Sequence, residues 1–317
     1  MYNISKKYRS VFLFIAKLAI VTAAFYIISG KIVQNGDLYS AFHLHFLNNS
    51  FSEFILISTL IFLFTTLNWF LEIKKWKTLV SGIKTITFFE AFKQSTSSLT
   101  ASLITPNRIG EYGAKAIYYP KSDQKKIMAL NLLGNSSQML ITILFGITGL
   151  FFLGNFIGLH LQIPKILLLI SLLITVFFII KRLRIFKRFT VFIKEIPLKI
   201  HLNNLFLSFL RYVVFSHQFY FLLMIFGVEL DYFTAMSLIF SMYLISSVIP
   251  GFVLFDFIIK GSVAVSLFGF FEVNEIVIIM ITTLMWIMNF AIPALIGSYF
   301  VLTFNLPLTE KIPVRVK

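Results

Sequence analysis

The chain has 317 residues, of which 58% are hydrophobic and 13% are charged, and its mean hydropathy is +0.89. Soluble domains carry about 25% charged residues, so this composition excludes a soluble globular domain and predicts a polytopic helical membrane protein. The formal charge of +15 comes from short basic clusters between apolar runs, a pattern typical of membrane topology and not of a nucleic-acid partner. The sequence contains no cysteine, which excludes disulfides and thiol chemistry.

The first half opens with two predicted spans. Basic residues precede an apolar run over 11–29, which is too long for the core of a cleaved signal peptide and indicates a retained helix with its N-terminus in the cytoplasm. A second helix is predicted over about 53–71. It returns the chain to a cytoplasmic basic cluster that consists of Lys74, Lys75, Lys77 and Lys84.

A polar, proline-broken segment follows over about 88–119, and basic residues flank it at both ends. Because Lys and Arg stay on the cytoplasmic side, a segment with both ends basic does not cross the bilayer. We predict a re-entrant hairpin that enters as a helix of small and hydroxyl residues, turns at Thr105-Pro106-Asn107 and rises again as a short helix. Irregular, charged backbone at membrane depth is tolerated only where it lines a cavity or packs between helices, so this hairpin is the predicted functional part.

Four more spans and a second broken segment complete the chain. The second broken segment, 232–271, lies between acidic loops that are predicted to be external, so we predict a second re-entrant hairpin that enters from outside. The alternative is two full spans, which would put Pro250 inside without basic residues. The four predicted spans lie at about 127–153, 166–180, 203–226 and 276–304.

The two halves of the chain match as an inverted repeat. Each half reads crossing, crossing, hairpin, crossing, and the second half starts from the opposite face, with repeat one at about 10–153 and repeat two at about 163–304. The predicted fold is therefore a single all-α transmembrane domain over 1–317, with six full spans and two re-entrant hairpins. A tail at 305–317 is expected in the cytoplasm, on the same side as the N-terminus.

The two hairpins also match in chemistry. Each has a proline break, then an acid, and a lysine four residues after the acid, so that acid and lysine share a helix face and can pair. Broken helices that meet from opposite sides form the binding sites of many transporters, and their N-termini suit an anionic group such as a lipid phosphate. The two sets are Pro106, Glu111 and Lys115 in the first hairpin and Pro250, Asp256 and Lys260 in the second.

The charges of the hairpins have competing interpretations. In the first hairpin, Arg108 and Lys115 are predicted to hold a lipid phosphate while Glu111 positions them or takes up a proton. The alternative is a cytoplasmic loop whose charges are hydrated. In the second hairpin, Asp256 and Lys260 form either a functional pair or a structural clasp, because hydrocarbon flanks leave little room for solvation.

The run LITPNRIGEYGAK, residues 103–115, resembles the signature of the lysylphosphatidylglycerol synthase transmembrane-region family, also called the flippase-like domain family. The similarity covers nearly the whole chain by length and helix pattern. Asn107 stands where the family has glycine, and the family's second motif keeps only Pro250, Gly251 and Asp256 here. The residues that match the first motif are Thr105, Pro106, Arg108, Gly110 and Glu111.

The resemblance implies a lipid flippase or transporter-like protein of a bacterial inner membrane whose partners are membrane lipids with anionic headgroups. Family members form the membrane half of proteins that make or translocate aminoacylated phosphatidylglycerol, and stand-alone members are linked to polyprenyl-phosphate sugar pathways. Synthase activity resides in a separate soluble domain, for which the residues after Phe304 are too few, so we expect no enzyme activity here. The predicted substrate-binding residues are Thr105, Pro106, Arg108, Gly110, Glu111, Lys115, Pro250, Asp256 and Lys260.

Two other functions are open. One is a membrane enzyme or enzyme subunit acting on a polyprenyl phosphate or phospholipid with Glu111 as general base, although no second catalytic carboxylate lies near the motif. The other is a scaffold whose basic loops at 121–126 and 181–188 recruit a soluble lipid-synthesis enzyme as partner.

The remaining polar residues give weaker signals. His43 and His45 form a lone His-x-His without carboxylates at ligand spacing, and no phosphate-binding loop occurs, so we expect neither a metal nor another cofactor. Arg211, near the inner end of its helix, is expected to snorkel its guanidinium to the lipid headgroups.

Overall fold

The structure is a computed structural model that describes residues 51–103, 105, 108–157, 192–249 and 256–304. Every regular element within these residues is helical. The predicted spans 11–29 and 166–180, the tail, both prolines of the hairpin motifs and the His-x-His pair lie outside the described residues. For Asp256 the backbone is described and the side chain is not.

The described chain forms nine α-helices, with one π-helical turn at Ile287–Ala291 joining the last two. Four stretches within them are long and apolar enough to cross a membrane: Ile57–Val80, Gln124–Gly154, Leu198–Ile225 and Glu275–Thr303. The prediction of an all-helical fold with several helices of membrane-spanning length is therefore confirmed for the described part of the chain. The helices are α1 (Phe51–Val80), α2 (Phe88–Ser102), α3 (Ile109–Ala116), α4 (Gln124–Ile157), α5 (Leu198–Ile225), α6 (Tyr232–Val248), α7 (Asp256–Gly269), α8 (Glu275–Trp286) and α9 (Ile292–Thr303).

Both predicted broken segments consist of two helices with a break between them. Within 88–119 the chain forms α2 and then α3, and within 232–271 it forms α6 and then α7. Neither pair contains a helix that is long enough to cross a membrane by itself.

The first described helix is longer than its sequence predicts. A helix was expected to end near residue 71, where charges begin, but α1 continues to Val80. The reason is that Glu72, Lys75 and Trp76 are buried against other helices instead of lying at a hydrated helix end.

Side-chain hydrogen bonds explain where the first helix of each hairpin begins. At α2 the Thr87 hydroxyl accepts from the N–H of Glu90, and the Glu90 carboxylate accepts from the N–H of Thr87 at 2.7 Å, which completes a capping box. The hydrogen bonds that Thr87 donates hold the pKa of Glu90 below its usual range. At α6 the Asp231 carboxylate accepts from the N–H of Thr234 at 3.1 Å and caps the helix in the same way.

Helix α1 packs along α5, and the two run antiparallel. Glu72 near the end of α1 pairs with Arg211 in the middle of α5, whereas Thr65, earlier in α1, bonds to Gln218, later in α5. Polar contacts at two levels therefore fix the register of this pair.

The first helix of each hairpin packs closely against a helix that belongs to a candidate membrane span in the other half of the chain. Helix α2 runs antiparallel to α9, and α6 runs antiparallel to α4. Glycines permit both approaches: a Cβ on Gly297 of α9 would overlap the carbonyl oxygen of Thr96, and one on Gly149 of α4 would lie 2.7 Å from the carbonyl oxygen of Ser237. The remaining hairpin helices complete the bundle, with α3 against α4 and α7 against α8.

Two apolar clusters support these helices. The larger joins α5, α6, α7 and α8 and includes the fully buried Leu238, Ile239 and Phe268. The smaller joins the end of α1 to the start of α4 around Trp76 and Ile127. The ionised and amide side chains described below share the interior with these clusters, so each of them needs a partner within the protein.

Candidate functional site

The predicted pair of the first hairpin is formed and buried. Lys115 donates from Nζ to Oε1 of Glu111 at 2.8 Å, and Arg108 approaches Oε2 with Nη2 at 3.1 Å. Glu111 and Lys115 are each 2% exposed, whereas about a third of the Arg108 side chain is exposed. The Glu111 triad, defined as Arg108, Glu111 and Lys115, is therefore not the hydrated loop that the alternative interpretation required.

Lys115 has a full set of partners inside the protein. Besides Glu111, its ammonium donates to Oδ1 of Asn131 on α4 at 2.8 Å. It also lies 4.4 Å from the ring centroid of Trp76, where a cation–π contact adds stabilisation. In this structure Lys115 neutralises Glu111, and Arg108 is the more accessible cation of the triad.

The turn before α3 explains why the motif contains threonine, arginine and glycine. Thr105 donates its hydroxyl to the carbonyl of Ser102 at 3.0 Å and accepts from the N–H of Gly110 at 2.9 Å. Arg108 adopts a left-handed conformation with φ of 59°, which turns the chain into α3. A Cβ on Gly110 would lie only 2.6 Å from the carbonyl oxygen of Ala101, so the close return of α3 onto α2 requires glycine there.

A second triad of charges lies between α1 and α5, and sequence reasoning missed it. Oε2 of Glu72 forms ion pairs with Nζ of Lys75 at 2.8 Å and with Nη1 of Arg211 at 2.9 Å. We define these three residues as the Glu72 triad. Lys75 is 2% exposed, so it does not belong to a hydrated cytoplasmic cluster, and Arg211 binds a buried carboxylate instead of snorkelling to headgroups.

One local signal could have indicated this triad. Glu72 and Lys75 stand three residues apart in a helix, a spacing that lets an acid and a lysine pair. Nothing local connects them to Arg211, which comes from a helix in the other half of the chain.

The two triads are linked and are both electropositive. Trp76 follows Lys75 directly, and its ring lies against the ammonium of Lys115. Each triad has two basic side chains for one carboxyl group, so its formal charge is +1 when all three are ionised. Charges removed from water are costly unless they are compensated, so this region favours an additional anion.

A chain of amide hydrogen bonds continues from Arg211 to the π-helical turn. Arg211 donates from Nε to Asn68 at 2.9 Å, and Asn68 donates to Asn289 at 2.7 Å. Asn289 lies in the π-helical turn and donates to Gln218 at 3.1 Å, which in turn donates to Thr65 at 3.0 Å. Such turns often mark functional sites, because they displace the helix and reorient its side chains.

A cavity of about 170 Å³ opens beside this chain. Its polar side chains are Asn68, Arg211, Lys260, Thr282 and Asn289. Aromatic and apolar side chains complete the wall, among them Phe215, Tyr243, Phe257, Trp286 and Phe290. We call this space the polar cavity.

Charged residues of the two hairpins meet at one ring beside the polar cavity. The guanidinium carbon of Arg108 lies 5.8 Å from the ring centroid of Phe290, and Nζ of Lys260 lies 5.4 Å from the same centroid. Lys260 also lies 5.9 Å from the ring centroid of Tyr243. Cations from both hairpin motifs therefore approach the same ring.

Comparisons with known proteins do not identify a function for this site. The chain matches no protein-family model and no curated protein sequence. The resemblance of residues 103–115 to the flippase-like family accordingly stays a prediction, and the function must be argued from the described side chains.

Proposed function

We propose that this protein is a flippase-like lipid transporter that binds an anionic headgroup between its two helical hairpins and moves it across the membrane. One observation carries the proposal: Arg108 of the first hairpin and Lys260 of the second approach the same ring, beside a cavity that Arg211 also lines. A buried region with net positive charge suits a phosphate group.

The packing of the helices supports an inverted repeat. The exchange pairs α1 with α5, α2 with α6 and α3 with α7, and it pairs α4 with the whole of α8, the π-helical turn and α9. Each main helix contact is then converted into another main helix contact. For example, the contact of α2 with α9 corresponds to the contact of α6 with α4. The contact of α1 with α5 corresponds to itself. A repeated unit explains this pattern, since equivalent elements then meet equivalent neighbours.

Side chains at the close helix crossings also correspond. Gly297 of α9 faces the carbonyl of Thr96 and the hydroxyl of Thr100, which stand four residues apart on α2. Gly149 of α4 faces the carbonyl of Ser237 and the hydroxyl of Ser241, which stand four residues apart on α6. The same small-residue contact in both halves supports a common origin for the two hairpins.

The direction of the packed helices supports hairpins that enter from opposite sides. Both α2 and α6 run antiparallel to the helices on which they pack, α9 and α4. The charge pattern predicts that α4 runs outward and α9 inward. Under that topology α2 starts from the cytoplasm and α6 starts from outside.

The first prediction concerns lipid movement in vesicles. The full chain is reconstituted in liposomes with fluorescent anionic and zwitterionic lipids, and the rate of exchange between leaflets is measured. We expect faster movement of the anionic lipid, and a loss of roughly 10-fold or more in Arg108→Ala and Glu111→Gln, since each removes a charge-assisted contact.

The matched control is Lys77→Gln, which removes an exposed charge from α1 away from the cavity. Size-exclusion chromatography in detergent checks that each variant is folded. Movement no faster than in protein-free liposomes, or equal rates for the hairpin variants and the parent, would contradict transport. Chemical conversion of the lipid would instead favour the membrane-enzyme alternative.

A further inference from the structure

A second cavity lies between α4, α5 and α6, and its wall is mainly aromatic. Among the residues that the structure describes there, the wall contains no lysine, arginine, aspartate or glutamate. A cavity without ionised groups suits a hydrocarbon chain better than a charged headgroup. We call this space the aromatic cavity, and its wall includes Phe145, Phe152, Phe209, Tyr212, Phe233 and Phe240.

The aromatic cavity and the polar cavity share one layer of rings. The ring centroid of Tyr212, which lines the aromatic cavity, lies 5.0 Å from that of Phe215 and 6.2 Å from that of Tyr243. Phe215 and Tyr243 line the polar cavity, and their centroids lie 4.8 Å apart. The two cavities are therefore neighbours, one with cationic side chains and one with apolar side chains. A lipid has the same two parts side by side.

The hydroxyl of Tyr212 is buried without a partner. The residue is 0% exposed, and its hydroxyl oxygen has no hydrogen bond within the described part of the chain. Two other polar groups of the aromatic cavity are satisfied, since Ser216 donates to the carbonyl of Val213 at 3.1 Å and His217 forms a hydrogen bond with the Tyr232 hydroxyl at 2.9 Å. A buried hydroxyl that has lost its bonds to water is unfavourable unless another partner replaces them. Tyr212 is therefore available to a ligand.

An uncharged acceptor fits the Tyr212 hydroxyl best. A phosphate or carboxylate oxygen would bring a charge to a cavity whose described wall has no lysine or arginine to compensate it. A polyprenyl chain has no acceptor beyond its phosphate. The ester carbonyl of an acyl chain accepts a hydrogen bond, carries no charge and lies between the headgroup and the hydrocarbon of the lipid.

We propose that the aromatic cavity holds an acyl chain of a glycerolipid and that the Tyr212 hydroxyl donates a hydrogen bond to the ester carbonyl of that chain. The inference rests on the proposed function, because the chain belongs to the lipid whose headgroup lies in the polar cavity. Tyr212 then favours ester-linked lipids over ether-linked lipids with the same headgroup.

The hydrogen bond is tested by binding to the purified full chain in detergent micelles, measured by native mass spectrometry. The probes are diacyl phosphatidylglycerol, its dialkyl ether analogue with the same chain length, and polyprenyl phosphate. We expect the diacyl lipid to bind roughly 3-fold to 10-fold more tightly than the ether analogue, as one hydrogen bond predicts. Tyr212→Phe should remove this preference and leave binding of the ether analogue and of polyprenyl phosphate unchanged. The matched control is Tyr299→Phe, an exposed tyrosine outside both cavities, which should keep the preference.

The position of the chain is tested by narrowing the aromatic cavity. Thr148 lines this cavity and is exposed, so a larger side chain there reduces the space for a ligand without overfilling the core. We expect Thr148→Trp to weaken binding of long-chain diacyl phosphatidylglycerol by roughly 10-fold and to leave a short-chain analogue unaffected. Thr303→Trp, at an exposed threonine outside both cavities, is the control and should bind both lipids as the parent does. If Thr148→Trp does not fold, Tyr212→Phe still decides, because it keeps the ring.

Three results would overturn the inference. These are equal binding of the ester and ether lipids by the parent, an equal change for both lipids in Tyr212→Phe, and parental binding of the long-chain lipid by folded Thr148→Trp. An equal change in Tyr212→Phe would assign the hydroxyl to an ordered water or to packing. Failure of the proposed function gives a different result. An ester preference in micelles without lipid movement in liposomes refutes transport and keeps this site, whereas lipid movement without any ester preference keeps transport and refutes the role of Tyr212.

Discussion

Glu72 and Glu111 each lie in the interior with two cations around them. Moving a carboxylate and an ammonium out of water costs several kcal/mol per ion, and only close pairing with further hydrogen bonds offsets this cost. The Lys115 ammonium is compensated by hydrogen bonds to Glu111 and Asn131 and by the ring of Trp76. The Glu72 carboxylate is compensated by an ion pair with Arg211, which connects α1 to α5.

At the scale of single residues, the sequence indicated the Glu111 triad and did not indicate the Glu72 triad. The spacing of Glu111 and Lys115 is local, so a helix is enough to bring them together. Arg211 can pair with Glu72 only when α1 packs along α5, and no pattern within either helix specifies this pairing.

The Glu72 triad predicts a large loss of stability. Glu72→Leu removes the carboxylate and leaves Lys75 and Arg211 buried together without it, so we expect a loss of about 3 to 5 kcal/mol in the free energy of unfolding. Denaturant unfolding of the protein in detergent measures it. Lys77→Leu, an exposed change on the same helix, should alter stability by no more than about 0.5 kcal/mol. Equal stability of Glu72→Leu and the parent would show that the triad does not stabilise the fold.

At the scale of helices, the hairpins are held by small residues and by polar caps. Gly297 allows α2 to lie directly on α9, and Thr100 donates to the carbonyl of Ala294 at 2.7 Å across the same contact. Serine and threonine in α2 bond mainly to carbonyls of their own helix, which lets a hydroxyl-rich helix remain buried. The composition of this segment predicts its burial, but the partner helix is set by the tertiary packing.

Substitution of the crossing glycines tests this packing. Gly297→Val places a side chain against the carbonyl of Thr96, so α2 must move away from α9, and we expect a loss of about 1 to 3 kcal/mol in stability. Gly149→Val should act similarly on α4 and α6, where Ser237 and Ser241 face the glycine. The measurement is the unfolding midpoint in detergent.

The control for these variants is another helical glycine. Gly113 has open space where its Cβ would lie, so Gly113→Ala should leave stability unchanged or raise it by up to about 1 kcal/mol. Parental stability in both crossing-glycine variants would mean that the hairpins are not fixed by these contacts.

At the scale of the whole molecule, the chain combines four candidate spans with two shorter helix pairs whose cationic residues converge at Phe290. The π-helical turn is central to this arrangement. Within it, Asn289 forms hydrogen bonds with Asn68 of α1 and Gln218 of α5. The cationic groups of Arg108 and Lys260 both lie near the ring of the adjacent Phe290. Movement of the last helix would therefore act on the amide chain and both hairpins together.

The absence of cysteine allows a direct test of the proposed topology. Lys121 follows the first hairpin and Glu275 begins α8, and both side chains are exposed. We expect a membrane-impermeant maleimide to label Glu275→Cys in intact cells, and Lys121→Cys only after the membrane is permeabilised. Labelling of both positions from the same side would refute hairpins that enter from opposite faces.

The sequence by itself determined that the described chain is helical, with apolar helices of membrane-spanning length and two broken segments, and that Glu111 pairs with Lys115. Hydropathy, proline and glycine placement and i,i+4 spacing are local properties, so they act before any tertiary contact forms. Only the tertiary structure decided that Glu72 forms an ion pair with Arg211 and that Arg108 and Lys260 both lie near the ring of Phe290. These contacts join residues from different helices, so no pattern within one helix specifies them.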